Sequence, residues 1–301
     1  MTKKNVLLTG ISGVLGRNIV FKILNNTNFN IIGLTADIGN SKFIFDNDRV
    51  LLLDRNNWFN TIDKDINIDT FINCGFPRTS DPSLLAKGIE DIEVLVKNVI
   101  KLKIKKIINI SSQSVYSQKK AAAATESTKI SPESLYGMTK YSVERMISAL
   151  CKAVKDIDYS HIRLGSLVNL EFKNRMTYKF IEQAFNDKPL QVNSDNLIMS
   201  YLHVNDAAEA LVKMLQSDSS NWNNVYNLGN SERFRVDELA IFVKEQMQLK
   251  ENKNVDVNIS NEDIIHNNTL DSTSFYKDFN WYPTILIKDM INEAYAHLKT
   301  E

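Results

Sequence analysis

A tyrosine and a lysine, Tyr136 and Lys140, are separated by three residues in the segment SLYGMTK. On a helix, residues four apart project from one face, so the two side chains can share a site. A free phenol has a pKa of about 10, and a neighbouring ammonium favours its ionised form. The pair could therefore move a proton to or from a substrate hydroxyl while a hydride is transferred at the same carbon. A chance pair on a solvent-facing helix is the alternative interpretation.

A glycine-rich turn near the N-terminus could bind a dinucleotide. Gly10, Gly13 and Gly16, in TGISGVLG, follow a run that predicts a strand and open a pattern that predicts a helix. Glycines in that context let backbone N–H groups approach a pyrophosphate at the N-terminus of the helix. The spacing is GxxGxxG instead of GxGxxG, and tight strand-to-helix packing alone is the other interpretation.

Two carboxylates are candidates for the ribose or adenine of such a cofactor. Asp37 follows the second predicted strand, where dinucleotide sites place an acidic residue on the ribose hydroxyls. No basic residue stands between this strand and Lys42 to hold a 2′-phosphate, so NAD is favoured and NADP stays open. We expect the strand to end near Thr35. Asp37 would then lie up to one turn beyond the position from which an acidic residue contacts the ribose. Asp54 could reach the adenine or be a solvated turn residue.

Hydroxyl groups follow the strand predicted at 105–111. The segment SSQSVYS places Ser111, Ser112 and Ser114 at the carboxyl edge of a parallel sheet, where such folds bind ligands. A serine at this edge could hydrogen-bond the reacting oxygen.

The elements that must position these residues alternate along the first half of the chain. Apolar, β-branched runs predict strands at 5–9, 30–34, 49–53, 69–73, 105–111 and 159–164, and periodic segments predict helices at about 13–25, 83–103 and 136–154. Strands that are apolar throughout suit a sheet covered by helices on both faces. The predicted fold is α/β, a doubly wound parallel sheet of the Rossmann type.

Beyond about residue 165 the pattern changes and predicts a smaller C-terminal substrate-binding lobe. Helices are expected within 174–190 and at 205–216 and 235–248, with a strand at 197–204. We expect a dinucleotide-binding domain at 1–165 and mainly the substrate lobe at 166–301, with segments around 197–228 returning to the sheet domain. The biased stretch KKAAAATEST, at 119–128, predicts a mobile loop that could act as a lid.

Composition restricts the classes of partner. The chain has 301 residues, 43% of them hydrophobic and 24% charged, and no run approaches the length of a membrane span. Lys plus Arg and Asp plus Glu both number 36, so no basic excess favours nucleic acids or anionic membranes. The two cysteines, Cys74 and Cys151, form neither a disulfide framework nor a metal cluster. We expect a cytoplasmic protein with a small-molecule substrate and no metal.

The motifs, in their order, resemble the extended short-chain dehydrogenase/reductase superfamily, in its NAD-dependent epimerase/dehydratase branch. The resemblance covers nearly the whole chain, and it is carried by TGISGVLG, SSQSVYS, SLYGMTK, HIRLGSLVN, YLHVNDAAEAL, YNLGNSERFRVDELA and FNWYPTILIKDMI. It implies an NAD-dependent sugar-modifying enzyme, either a nucleotide-sugar epimerase or a keto-reductase in polysaccharide precursor synthesis.

The resemblance also implies roles for individual residues. Ser112 would be the catalytic hydroxyl, Tyr136 the acid/base, and Lys140 the residue on the nicotinamide ribose. Besides Asp37, Asp54, Tyr136 and Lys140, the implied cofactor-binding residues are Gly10, Ser12, Gly13, Val14, Leu15, Gly16, Cys74, Gly75, Phe76 and Leu164. The candidates for contact with the substrate are Arg78, Ser114, Ser166, Arg175 and Met199.

Departures from the family's pattern narrow the activity. Relatives that eliminate water carry adjacent Asp and Glu after the catalytic hydroxyl, whereas Gln113 and Ser114 stand there, so a 4,6-dehydratase is disfavoured. Epimerases usually clamp the substrate diphosphate with an arginine where this chain has Met199. Other candidates for an anionic substrate are Arg78, Lys173, Arg175 and Arg233.

The sequence is also compatible with two other functions, and it predicts a homodimer. Met199 also suits a dehydrogenase or reductase of a non-nucleotide carbonyl or hydroxyl substrate. A non-catalytic NAD(P)-binding sensor or scaffold is the alternative from another class, although such proteins generally lose the tyrosine or the lysine. The helices at 83–103 and 136–154 have apolar positions beyond one core stripe, and the resemblance implies a homodimer through a four-helix interface. Packing within one chain could explain the same positions.

Overall fold

Fourteen strands and ten helices occur in the computed structural model, which describes residues 4–154, 156–193, 197–260 and 266–300. The strands are β1 (Asn5–Thr9), β2 (Asn30–Thr35), β3 (Val50–Asp54), β4 (Ile68–Asn73), β5 (Lys106–Ser112), β6 (Asp158–Leu164), β7 (Ser166–Val168), β8 (Leu190–Val192), β9 (Leu197–Met199), β10 (Tyr201–His203), β11 (Val225–Leu228), β12 (Phe234–Arg235), β13 (Val257–Ile259) and β14 (His266–Asn267). The helices are α1 (Val14–Asn26), α2 (Ile38–Ile44), α3 (Trp58–Thr61), α4 (Pro82–Lys101), α5 (Leu135–Ala153), α6 (Met176–Phe185), α7 (Val204–Gln216), α8 (Val236–Glu251), α9 (Thr273–Phe279) and α10 (Ile287–Leu298).

The central sheet has seven strands in the order β3-β2-β1-β4-β5-β6-β11. Each neighbouring pair is parallel. Strand β1 shows why the chain takes this form: Val6 and Leu8 pack into the core beneath α1 and α7, whereas Leu7 packs into the core beneath α4 and α5. A strand buried on both faces needs apolar side chains at successive positions. The predicted doubly wound α/β fold is confirmed.

The order of the strands reverses at β1, which lies between β2 and β4. In doubly wound sheets, ligands bind in the crevice that opens at such a reversal, beyond the carboxyl ends of the strands. Here the loops after β1 and β4 touch each other. Gly10 has a φ of +66°, and a Cβ on it would lie 2.8 Å from the backbone nitrogen of Gly75. The contact between the loops therefore requires glycine at position 10.

A second apolar core lies in the C-terminal lobe, among α6, α8 and α10. The strand predicted at 197–204 is divided at Ser200, whose hydroxyl donates to the carbonyl of Asn230. As a result, β9 pairs with β12 and β14 in the lobe, whereas β10 pairs with β7. Helix α7 packs on α1, β11 extends the central sheet, and α9 contacts β11. The division between the lobes thus differs from the predicted one, because β9 stays in the lobe and α9 returns to the sheet domain.

The loop at 119–128 is anchored at its centre, which differs from the mobile lid we expected. Ala124 is buried, and its carbonyl accepts a hydrogen bond from the side chain of Asn227. The Glu126 carboxylate accepts the backbone N–H of the same asparagine, and the Ala124 N–H donates to Thr269. These bonds tie the loop to β11 and to the segment after β14.

No helix in the described ranges is long and apolar enough to cross a bilayer.

Candidate active site

A cleft of about 1600 Å³ opens at the carboxyl ends of the central strands, between the sheet domain and the lobe. It exceeds the roughly 300–1,000 Å³ of common small-molecule pockets, so it has room for a dinucleotide together with a substrate. All the predicted site residues line it except Asp37, Asp54, Lys173 and Arg233. Among the described residues, no three His, Cys, Asp or Glu side chains lie where they could share a metal ion.

The glycine turn forms the end of the cleft that suits a pyrophosphate. Helix α1 begins after Gly13 without a side-chain cap and without an acidic residue in its first turn, so its first N–H groups and its positive dipole end stay available. A Cβ on Gly16 would lie 2.0 Å from the carbonyl oxygen of Gly10. Glycine at position 16 therefore lets α1 pack directly against the turn, which is the role of the third glycine in dinucleotide-binding turns. These residues therefore fit NAD.

The two predicted carboxylates lie outside the walls of the cleft. Asp37 caps α2, where its side chain accepts from the backbone and side-chain nitrogens of Asn40, and these bonds lower the pKa of Asp37. Asp54 accepts the backbone N–H of Asn56. The cleft wall at this end includes Arg55 instead, and its guanidinium lies 3.3 Å from Asp91. Arg55 was not among the predicted site residues, although its position directly after the third strand could have suggested it.

The start of α5 places Tyr136 in the cleft. Ser134 caps this helix by accepting the N–H of Gly137 at 3.1 Å. A Cβ on Gly137 would lie 2.1 Å from the carbonyl oxygen of Ser114, so the helix packs directly on the turn that follows β5. Tyr136 and Ser112 both line the cleft, and the Ser112 hydroxyl acts to lower the pKa of Tyr136. The ring of Phe76 meets the Tyr136 ring edge-on, with centroids 6.1 Å apart.

The charges around the tyrosine differ from our expectation. Burial raises the pKa of Tyr136, while the charge of Arg78 and the hydrogen bond with Ser112 oppose that rise. We expected Lys140 to supply the charge, but the Lys140 ammonium donates to the carbonyl of Ile110 and lies 4.8 Å from the centre of the Phe76 ring. Burial lowers the pKa of Lys140 to about 8.

A network of buried polar groups lies beneath this site. Arg163 donates to both carboxylate oxygens of Glu144, at 3.0 and 2.7 Å, and to the Tyr116 hydroxyl at 2.7 Å. The hydroxyl of Tyr116 donates in turn to Asn227. Ser111 also donates to Glu144, so its hydroxyl belongs to this network. Glu144 was not among the predicted site residues. It lies four residues after Lys140, so the two side chains share one face of α5.

The opposite wall of the cleft carries the candidates for substrate binding. The side-chain nitrogen of Gln113 donates to Ser166 at 3.1 Å, whereas its buried Oε1 has no partner within the described ranges. Phe172, a residue that the sequence analysis missed, lies between two arginines. Its ring centre is 6.0 Å from Cζ of Arg78 and 5.7 Å from Cζ of Arg175. This wall thus presents cations and amides.

The chain resembles known proteins along its whole length. It is 22% identical over 319 residues to dTDP-4-dehydro-6-deoxyglucose reductase of Escherichia coli, covering 99% of this chain and 98% of the relative. It superposes on UDP-N-acetylglucosamine 4-epimerase from Bacillus cereus with a TM-score of 0.80 and 18% identity, covering 99% and 98% of the two chains. The UDP-glucuronic acid 4-epimerase of the same organism, solved with UDP-glucuronic acid and NAD, gives a TM-score of 0.78 at 19% identity, covering 98% and 99%.

The two structural likenesses show the shared fold. The sequence profile described as the NAD dependent epimerase/dehydratase family matches residues 6–229, which is most of the chain. That match includes the glycine turn, Ser112, Tyr136 and Lys140. It confirms the resemblance and makes NAD the cofactor, while the roles of the individual residues stay predictions. The chain belongs to the NAD dependent epimerase/dehydratase family.

Proposed function

We propose that this protein is an NAD-dependent nucleotide-sugar epimerase or keto-reductase in which Tyr136 carries the proton. The observation that carries the proposal is that Tyr136, Ser112 and the glycine turn all line one cleft. The family match and the similarity to a sugar-nucleotide reductase and to epimerases support it. They favour it over a reductase of non-nucleotide substrates and over a non-catalytic scaffold.

Each polar group of the site has a role in the proposed reaction. NAD, when bound, supplies hydride transfer at the substrate carbon. Tyr136 donates its proton to the oxygen on that carbon in reduction and takes it back in oxidation, and Ser112 hydrogen-bonds the same oxygen. Because burial raises the pKa of Tyr136, the phenol is protonated at neutral pH and ready to act as an acid. Its action as a base is assisted by the positive charge of Arg78.

The groups next to the catalytic hydroxyl disfavour dehydration. Elimination of water needs a second acid and base, and Gln113 and Ser114 follow Ser112 here. Gln113 instead donates to Ser166. Neither side chain exchanges a proton near neutral pH, so we propose proton and hydride transfer without loss of water.

Replacement of Tyr136 by phenylalanine tests the proposal. Tyr136→Phe should lower turnover of a nucleotide sugar by about 10²-fold or more while leaving the affinity for NAD largely intact, since only the proton carrier is lost. Tyr141→Phe, on the same helix but outside the cleft, is the matched control and should keep wild-type turnover. Equal turnover in wild type and Tyr136→Phe would remove the proposed proton carrier.

The fate of the cofactor separates the two activities. An epimerase regenerates NAD within each turnover and can hold it tightly, whereas a reductase must exchange it with solution. Protein purified without added cofactor should therefore release nearly stoichiometric NAD on denaturation if it is an epimerase, and little if it is a reductase. Chromatography of the released nucleotide measures this directly.

We also propose that two copies pair through α4 and α5. Leu84 and Val94 on α4, with Leu135 and Met138 on α5, are large apolar side chains that are each about half exposed or more. Among the other apolar residues of α5 and its C-terminal cap, Val143, Ile147 and Cys151 are buried in the core of one chain, while Val154 is exposed. Sedimentation at micromolar concentration should give a dimer, and Val94→Glu should give a monomer. A wild-type monomer would contradict the pairing.

We also propose that the protein is located in the cytoplasm and acts in the synthesis of polysaccharide precursors. Both cysteines are free, Cys151 buried and Cys74 partly so, as a reducing compartment would leave them. Extracts fractionated into cytoplasm and envelope, and analysed for this chain, would test the location. Loss of a surface polysaccharide on deletion of the gene would test the role.

A further inference from the structure

We infer that Arg78 and Arg175 form a binding site for a carboxylate on the sugar itself, beside the reacting carbon. The substrate of the enzyme proposed above would then be a nucleotide-linked uronic acid. This inference rests on the proposed function, because it specifies which sugar the same cleft takes.

The two arginines come from different lobes and meet at one aromatic ring. Arg78 lies on the loop between β4 and α4, and Arg175 lies immediately before α6. Both guanidinium groups are within about 6 Å of the centre of the Phe172 ring, at 6.0 and 5.7 Å, the range in which a cation is attracted to an aromatic face. Both also line the cleft that contains Tyr136. Phe172 thus holds two like charges on one wall.

The two guanidinium groups differ from other arginines of the described chain in their lack of an acidic partner there. Within the described ranges, no carboxylate lies at ion-pair distance from Arg78 or Arg175. By contrast, Arg17, Arg55 and Arg163 each contact an Asp or Glu. Burial, together with the charge of Arg78, lowers the pKa of Arg175. Two cations without a counter-ion are unfavourable alone, and an anion placed between them would offset that cost.

The remaining groups on this wall also suit an anion. Arg175 donates its Nε to the carbonyl of Leu167 at 2.9 Å, which orients the guanidinium and keeps its two terminal nitrogens as donors. Helix α6 starts directly after Arg175 with no acidic residue in its first turn and no side-chain cap. The positive end of its dipole therefore adds to the charge of the arginines. A planar carboxylate can accept two parallel hydrogen bonds from such a guanidinium.

The position of Arg78 favours a carboxylate on the sugar over the diphosphate. Arg78 follows Phe76 by two residues, and the Phe76 ring meets the Tyr136 ring edge-on with centroids 6.1 Å apart. An anion bound to Arg78 therefore lies in the part of the cleft that contains the phenol, in agreement with the lowering effect of Arg78 on the pKa of Tyr136. In a nucleotide sugar, the diphosphate is attached to the anomeric carbon and the nucleoside extends away from the ring. A carboxylate on the ring is the anionic group that can stay beside the reacting carbon.

Binding measurements on the NAD-loaded protein test the inference. We would titrate UDP, UDP-glucose and UDP-glucuronate, and then dTDP and dTDP-glucose, into wild type and Arg78→Gln by calorimetry. Wild type should bind UDP-glucuronate at least 10-fold more tightly than UDP-glucose. Arg78→Gln should weaken UDP-glucuronate by about 10- to 100-fold, the usual contribution of a hydrogen-bonded charge, and change UDP and UDP-glucose less than about 2-fold.

The controls distinguish three outcomes. Arg145→Gln, an exposed arginine on α5 outside the cleft, should change none of the affinities. If UDP-glucose binds as tightly as UDP-glucuronate, or if Arg78→Gln weakens UDP and both sugars equally, the carboxylate site is overturned while the proposed function stands. In the second case the arginine binds the diphosphate. If no nucleotide or nucleotide sugar binds to folded, NAD-loaded protein, the proposed function fails and the inference fails with it.

Discussion

Two groups of charged residues at the carboxyl end of the sheet differ in whether they have partners. Beneath the cleft, Glu144 and Arg163 are almost fully buried, and each makes hydrogen bonds to the other and to neighbouring hydroxyls. On the wall of the cleft, Arg78 and Arg175 share Phe172 and have no carboxylate at ion-pair distance among the described residues. Buried charges are tolerated when they are paired. The first group is therefore completed by folding, whereas we propose that the second is completed by a ligand.

Breaking the buried pair should have the largest effect. Glu144→Gln leaves the Arg163 guanidinium buried without its counter-charge, and we expect it to lower the free energy of unfolding by about 3–5 kcal/mol. Urea denaturation measures the change. Glu93→Gln is the control, because its i,i+4 pair with Lys97 on α4 is exposed and should contribute no more than about 0.5 kcal/mol. Equal losses in the two variants would show that the buried pair does not stabilise the fold.

The buried His161 should make the free energy of unfolding depend on pH in the acid range. His161 is buried with its ring nitrogens bonded to Asn109 at 3.1 Å and Ser148 at 2.9 Å. Burial lowers the pKa of His161 to about 4, and the charge of Glu144 opposes that shift. In the unfolded chain the imidazole takes a proton near pH 6.5, so the unfolded state binds more protons as the pH falls.

The free energy of unfolding should therefore decrease by up to about 3 kcal/mol as the pH falls from 6.5 to 4. The contribution is fully present above pH 6.5. We expect His161→Gln to be less stable at pH 7 but to lose less stability over this acid range than wild type. Denaturation at half-unit pH steps gives both slopes, and parallel slopes would mean that His161 is charged in the folded protein.

The uncharged hydrogen bonds of Thr9 should contribute an intermediate amount to the free energy of unfolding. The Thr9 hydroxyl accepts the backbone N–H groups of Cys74 and Gly75, both at 3.1 Å, and donates to Asn73. Thr9→Val keeps the shape and leaves these groups without a partner, so we expect a loss of about 1–3 kcal/mol in the free energy of unfolding. Thr61→Val, at the exposed end of α3, should change it by less than about 0.5 kcal/mol. A similar change in both variants would exclude a structural role for Thr9.

The cofactor side of the site could be predicted because local patterns determine it. Strand β1, the glycine turn and α1 follow one another in sequence, and each pattern needs only its neighbours to be recognised. Tyr136 and Lys140 lie on one helix, so their spacing alone places them together. The predicted strands of the sheet agree with the observed ones to within one residue at nearly every end.

The substrate side could not be predicted in the same way, because tertiary contacts determine it. Arg78 and Phe172 are 94 positions apart in the chain and come together only in the folded protein. The strand pattern at 197–204 gave no sign that Ser200 would divide it, since the division depends on a bond to Asn230. The direction of the Lys140 ammonium likewise depends on the carbonyl of Ile110, at the end of another element.

The smallest effect is expected for Arg78, which has no carboxylate at ion-pair distance among the described residues. Arg78→Gln removes an exposed guanidinium that repels Arg175, so the free energy of unfolding of the ligand-free protein should change by no more than about 0.5 kcal/mol, with a small increase as readily as a decrease. The same variant should lose affinity for an acidic sugar, so stability and binding would separate at this residue. A loss approaching that of Glu144→Gln would mean that Arg78 has a structural partner, and the distinction between the two groups of charges would then fail.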